Sequence, residues 1–152
     1  MKSRILMASV LLLAACASGP SAKQAAGAGA AAEGSLPAQT LAPGACGLFL
    51  WTQDEPRRFI LFYPSDSATA DAIVNGQRTK LSIESRGGEV FTQFMTEMSF
   101  RTPAGNPVTL SLQPGEQIEG GRRVPVARMI SQDREGWEII TPLAGLTACQ
   151  PK

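Results

Sequence analysis

Three cysteines, Cys16, Cys46 and Cys149, are the most reactive side chains in a 152-residue chain that contains no histidine. Without imidazole, the Ser-His and Cys-His nucleophile systems are ruled out, since their general base is missing. Carboxylates stand close together at Asp54 and Glu55, at Glu116 and Glu119, and at Asp133 and Glu135. Such pairs divide acid and base work only where a dry pocket pulls their pKa values apart. All three lie among polar, turn-forming residues, so they read as solvated turns, and the chain is expected not to be an enzyme. Gly87-Gly88 and Gly120-Gly121 lack the following helix and the Lys-Ser/Thr pair of a phosphate loop. They read as turns.

Cys16 is set apart by what precedes it. Met1-Lys2-Ser3-Arg4 is basic, residues 5–13 are apolar, and small residues follow. That is the pattern of a secretory signal, and the apolar run is too short to remain as a membrane span. Leu13-Ala14-Ala15-Cys16 resembles the lipobox of bacterial lipoproteins and fills all four of its positions. The resemblance implies that the Cys16 thiol receives a diacylglyceryl group, that the chain is cut before it, and that the new amine is acylated. Cys16 is thus the expected lipidation site. The covalent lipid is the one attached group expected, with no metal and no other cofactor. Each acyl methylene buried in the bilayer contributes about 0.8 kcal/mol, so several chains hold firmly. Ala17 and Ser18 follow, without the aspartate that marks inner-membrane retention. The expected address is the outer membrane of the cell envelope, with the domain in the periplasm.

The remaining chain divides by composition. Residues 1–15 are the signal, residues 16–43 a lipid-anchored flexible linker, and residues 44–152 a β domain. Residues 25–32 consist only of Ala and Gly, with no apolar stripe to pack. As a coil, the linker spans about 25 to 30 Å. Cys46 and Cys149 sit at the two edges of the domain, and in an exported protein such a pair most simply forms a disulfide. Two free thiols or a metal pair are the alternatives, the metal being disfavoured by the lack of His and of a third thiolate. A bridge over this span stabilises by about 4 to 5 kcal/mol in the chain-entropy account.

The whole chain carries 14 Lys and Arg against 13 Asp and Glu, a formal charge of +1. Removal of Lys2 and Arg4 with the signal leaves one net negative charge. Nucleic acid demands a basic face to neutralise phosphates, and a near-neutral balance argues against it as a partner. Arg57-Arg58 and Arg122-Arg123 read as solvated strand edges, with local anion or partner binding as the alternative.

From Cys46 onward the hydrophobic period is that of strands. Residues 46–53 and 58–63 are aromatic-rich and apolar on both faces, so they are expected to be central or covered from outside. Residues 69–74 and 78–84 flank Asn75-Gly76, a favoured two-residue hairpin turn. In the second of these strands Leu81 and Ile83 face inward, and Lys80, Ser82 and Glu84 outward. Arg86-Gly87-Gly88 is expected to turn the chain again. Residues 90–101 alternate over their whole length and read as one strand. Val108, Leu110 and Leu112 resume the pattern, followed by strands over 124–130 and 137–141 and a last short one containing Cys149. A single helical turn is the most that 67–71 could form. The expected fold class is all-β, a small antiparallel barrel or sandwich of about eight strands. Trp51, Tyr63 and Trp137 fall within strand patterns and read as core, with a sugar-stacking surface as the alternative.

An exported lipoprotein with a small β domain stapled from first strand to last resembles the membrane-bound C-type lysozyme inhibitors. Residues 72–91 carry the local likeness: a strand, Asn75-Gly76, a second strand through Leu81, then Ser85-Arg86-Gly87 before Phe91. In that family a loop serine enters the lysozyme cleft, which makes Ser85, with Arg86 beside it, the partner-binding position the resemblance implies. The family's later Trp-x-Lys-Gly segment is missing, because Phe100-Arg101 leads to Thr102-Pro103. The expected function is that of a lipid-anchored envelope protein that binds or scaffolds a protein or peptidoglycan without catalysis. Its alternative is inhibition of a lysozyme-type hydrolase.

Overall fold

Alternation of inward and outward side chains builds nine strands and no helix among the described residues. The structure, a computed structural model, describes residues 33–152, so the signal and Cys16 lie outside the described residues. The strands are β1 (Cys46–Thr52), β2 (Phe59–Pro64), β3 (Thr69–Val74), β4 (Gln77–Phe91), β5 (Phe94–Arg101), β6 (Pro107–Gln113), β7 (Gln117–Ile118), β8 (Gly121–Gln132) and β9 (Glu138–Cys149). β1 to β6 form an antiparallel meander, β6 pairs with β8, β8 with β9, and β9 with β1. Eight strands therefore close into an antiparallel barrel, and β7 is a short ninth strand on β8. Closure, not a second packed sheet, is what removes the exposed edges.

The interior follows from the register. Leu48 lies opposite Tyr63 and Thr147, and Leu50 opposite Leu61 and Gly145, so these positions share the inner face. Leu81 is fully buried and Ile83 stands opposite Phe100, the inward phase expected of them. Phe100, Leu110, Met129 and Leu143 complete the filling from the other side of the barrel. At the Asn75-Gly76 turn both residues take positive φ, 51° and 76°, as a tight hairpin of this kind requires.

The apolar outer faces of β1 and β2 are covered, as their composition demands. Phe49, Trp51, Phe59 and Phe62 stack on the outside of the barrel, with Trp51 and Phe59 ring centroids 4.9 Å apart. Leu41 lies against Gly47 and Phe49 there, and Leu36 is buried at 3% exposure. The Leu36 N–H donates to the Phe59 carbonyl at 2.6 Å, and the Phe59 N–H donates to Ser35 Oγ at 3.1 Å. Residues 35–41, read from composition as part of the linker, thus pack as a strap along the wall.

Three local readings of the sequence differ from the structure. The alternation over 90–101 hides a hairpin: Thr92-Gln93 is a two-residue turn, Phe91 faces Phe94 across it, and Val90 points outward at 72% exposure. Thr92 adopts φ 51° without being Gly, Asn or Asp, so the turn carries no compositional mark. Gly87-Gly88 does not turn the chain. The pair lies inside β4, where the register slips between Gly87 and Val90, and a Cβ on Gly88 would fall into the Thr96 hydroxyl. A bulge needs that glycine as much as a turn does. Finally, the two pieces expected at the C-terminus are one strand, β9, because Pro142 lies just past the last β1 partner, Leu143, and removes no bond on that side. Residues 67–71, where one helical turn is the most expected from the sequence, contain no helix and lead into β3.

Candidate functional site

Cys46 and Cys149 face each other directly across β1 and β9, with Cα atoms 4.0 Å apart, and are joined by a disulfide. The bridge spans 103 positions of sequence and fastens the first strand to the last. Neither sulfur is then a nucleophile or a metal ligand. Among the described residues no cluster of three His, Cys, Asp or Glu is placed to hold a metal ion, and no helix is long and apolar enough to cross a membrane. Cys16, the lipidation candidate, lies outside the described residues.

Near the disulfide end, Arg86 stands opposite the buried Met98 on β5; the residue is exposed, and its guanidinium reaches over the barrel opening to Tyr63. Tyr63 is 1% exposed, with its ring edge-on to Phe94 and Phe100. Its hydroxyl accepts hydrogen bonds from Arg86 Nε, at 3.2 Å, and from Arg86 Nη2. A buried phenol needs a polar partner, and the guanidinium supplies two donors, its carbon 5.9 Å from the ring centroid. Among the described residues Arg86 forms no ion pair. Its remaining donors are free for an anionic or carbonyl group.

Ser85 is exposed beside the first register slip of β4, opposite Ser99, and so stands in a strand and not on a loop. Ser85, Arg86, Gly87, Glu97 and Ser99 line a shallow depression of about 270 Å³. This arrangement offers one positive and one negative charge, from Arg86 and Glu97, together with hydroxyls and exposed strand backbone. It can hold a polar partner.

The carboxylate pairs are occupied as turn and surface groups. Asp54 is held below the usual carboxylate range chiefly by its hydrogen bond with the Thr52 side chain, helped by a backbone N–H and by Arg58, against a smaller desolvation effect. Glu55 faces Arg57 at 3.7 Å, and Glu116 faces Arg123 at 2.7 Å, all of them exposed. Arg122 Nε donates to the Gly115 carbonyl at 2.8 Å. Both basic dipeptides therefore have local partners. Asp133 Oδ1 accepts from the N–H groups of Glu135 and Trp137 at 2.9 and 2.8 Å, which brackets the β8–β9 turn.

The three large aromatics singled out from the sequence occupy three different places. Trp51 stacks on the outer wall, Tyr63 is inside, and Trp137 projects from the β8–β9 turn at 73% exposure. They do not form one groove. Two features escaped the sequence reading. Glu84 and Arg101 form a two-point ion pair at 2.6 and 3.1 Å on adjacent strands, which raises the Arg101 pKa. Ile139 and Ile140 follow Trp137, and adjacent isoleucines in a strand cannot both face inward, which was the available signal. Compared with protein-family models, curated proteins and solved structures, the chain matches none of them.

Proposed function

We propose that the chain is a lipid-anchored protein of the outer membrane, held by Cys16, whose barrel binds or scaffolds a protein or peptidoglycan partner without catalysis. The reading rests on the division of the cysteines. Cys46 and Cys149 are joined to each other, which suits an oxidising compartment, and Cys16 is left at the end of a lipobox-like segment. For the partner, the Ser85–Arg86 surface is the best provided, since Arg86 keeps donors beyond those on Tyr63 and carries no ion pair among the described residues. Bidentate recognition of a carboxylate is the chemistry a guanidinium does best.

Mass spectrometry of protein taken from the envelope tests the anchor: the mature chain should begin at Cys16 and carry a diacylglyceryl mass. Cys16→Ala should move a folded domain from the detergent phase to the aqueous phase. An unmodified Cys16 in the exported protein overturns the reading. For the partner surface, a photo-crosslinker at position 85 should give a discrete adduct in intact envelopes that is lost in Arg86→Met. Inhibition of lysozyme by the purified domain, abolished by Ser85→Tyr, would identify the partner as a wall hydrolase.

A further inference from the structure

The described chain meets the barrel at one particular end. Ser35 and Leu36 are hydrogen-bonded to Phe59, the first residue of β2, and Gly34 lies beside the Arg58 guanidinium. Arg58, Asn75, Gly76 and Ile139 line one opening at that end. The described chain therefore begins at the rim that also carries the β8–β9 turn. The disulfide lies at the opposite end, where β1 begins and β9 finishes.

That turn presents apolar side chains to solvent. Trp137 is 73% exposed, Ile140 58% and Ile139 39%, within four residues of one another. Their positions are fixed: Asp133 Oδ1 holds the Trp137 N–H, and Asn75 Nδ2 donates to the Gln132 carbonyl at 2.7 Å, tying two hairpins together. An exposed apolar tip on a braced loop is a contact surface whose ordering cost on binding is small.

We propose that this end of the barrel faces the bilayer and that Trp137, Ile139 and Ile140 rest in the lipid interface. The inference rests on the anchor reading above. Its geometry comes from where the chain leaves the barrel. Sixteen residues separate Cys16 from Glu33, and a coil of that length spans about 20 to 25 Å. From this rim such a span delivers the tip to the membrane surface. With the disulfide end turned to the bilayer, the same segment has first to run back along the barrel wall.

Chemistry favours the same occupant. Indole suits the membrane interface because its body is apolar while its N–H stays among polar groups. Asp133, Glu135 and Glu138 outnumber Arg134 around the turn, so no attraction to anionic lipid is built in and the contact is an apolar one with zwitterionic lipid, insensitive to salt. Tethering holds the tip at high local concentration beside the surface, and a contact too weak to capture a free domain suffices.

The test uses the lipidated full chain carrying Trp51→Phe, which leaves Trp137 as the single tryptophan. It is reconstituted into phosphatidylcholine vesicles containing lipids brominated along the acyl chains. Flotation with the vesicles reads the anchor, and Trp137 emission reads the contact. Expected are quenching by the brominated lipid and loss of acrylamide access, both unchanged in high salt. Adding Ile139→Ser and Ile140→Ser should weaken the quenching while flotation persists. Flotation with Trp137 open to acrylamide and untouched by bromine overturns the orientation and leaves the anchor standing. Failure to float overturns the anchor and this inference with it. Shielding that grows with protein concentration and ignores bromine identifies a second copy as the occupant and also overturns it.

Discussion

The two ends of this barrel are finished in different ways. At one end covalent and polar groups close the structure: the Cys46–Cys149 bridge, the Arg86–Tyr63 contact, and Thr147, fully buried and accepting the Arg122 N–H at 3.1 Å. At the other end the rim is made of hairpin turns, and Trp137, Ile139 and Ile140, at and just after the β8–β9 turn, are exposed. Fastening is concentrated at one end, beside the polar Ser85–Arg86 surface, and a cluster of exposed apolar side chains at the other.

The largest expected loss of stability lies at the fastened end. Replacing both Cys46 and Cys149 by Ala releases a span of 103 positions, and urea unfolding should show a loss of about 4 kcal/mol. A loss no larger than that of substitutions at the Trp137 turn would remove the distinction between the ends. Next comes the wall between them. Gly145 lies in β9 with β1 on one side and β8 on the other, and a Cβ there would overlap the Phe49 carbonyl. Gly145→Ala should destabilise by about 3 kcal/mol, because neither flanking strand can retreat without breaking its own pairing.

The strap gives an intermediate case. Leu36→Ala removes the one buried leucine of residues 35–41 and should lower stability by about 2 kcal/mol. Hydrogen exchange should rise over residues 35–45 and at Phe59, while β5 and β6 stay protected. A smaller effect belongs to Tyr63→Phe, which leaves Arg86 without its phenolic acceptor but free to reach water. The expected loss is about 1 kcal/mol by thermal unfolding. Its companion Arg86→Met should cost more, since the buried hydroxyl is then the group left unpaired.

Much of the barrel is legible in the sequence wherever local chemistry and fold agree. Asn75-Gly76 can satisfy its positive φ angles at almost no expense, so the turn announces itself. The two-faced apolar character of β1 and β2 announces a cover, although not that residues 35–41 supply it, because Leu36 and Leu41 are isolated in a low-complexity stretch. Closure could not be read, since the β6–β8 pairing depends on strand tilt and stagger accumulated around the whole sheet. The Thr92-Gln93 turn stayed hidden because an unbroken alternation ran through it. The pairing that brings Phe91 against Phe94, and with it Tyr63 under Arg86, depends on that turn. Of the site residues named from sequence, Cys46 and Cys149 come together, and Arg86 gains a partner, Tyr63, that no spacing rule would have chosen.

The smallest expected effect is the most informative about the free end. Trp137 is a large side chain, and in a core its replacement by Ser would be severe. Here the ring is 73% exposed and its backbone N–H, not its indole, is the group held by Asp133. Trp137→Ser should therefore change the stability of the soluble domain by no more than about 0.5 kcal/mol, while Asp133→Ala, which removes the acceptor of two N–H groups, should loosen the turn and raise its hydrogen exchange. An indole kept on a braced turn without any contribution to folding is explained by what it meets outside the barrel. If thermal unfolding instead showed a large loss for Trp137→Ser, the ring would be part of the fold in solution, and the contrast between a fastened end and a presenting end would collapse from its weaker side.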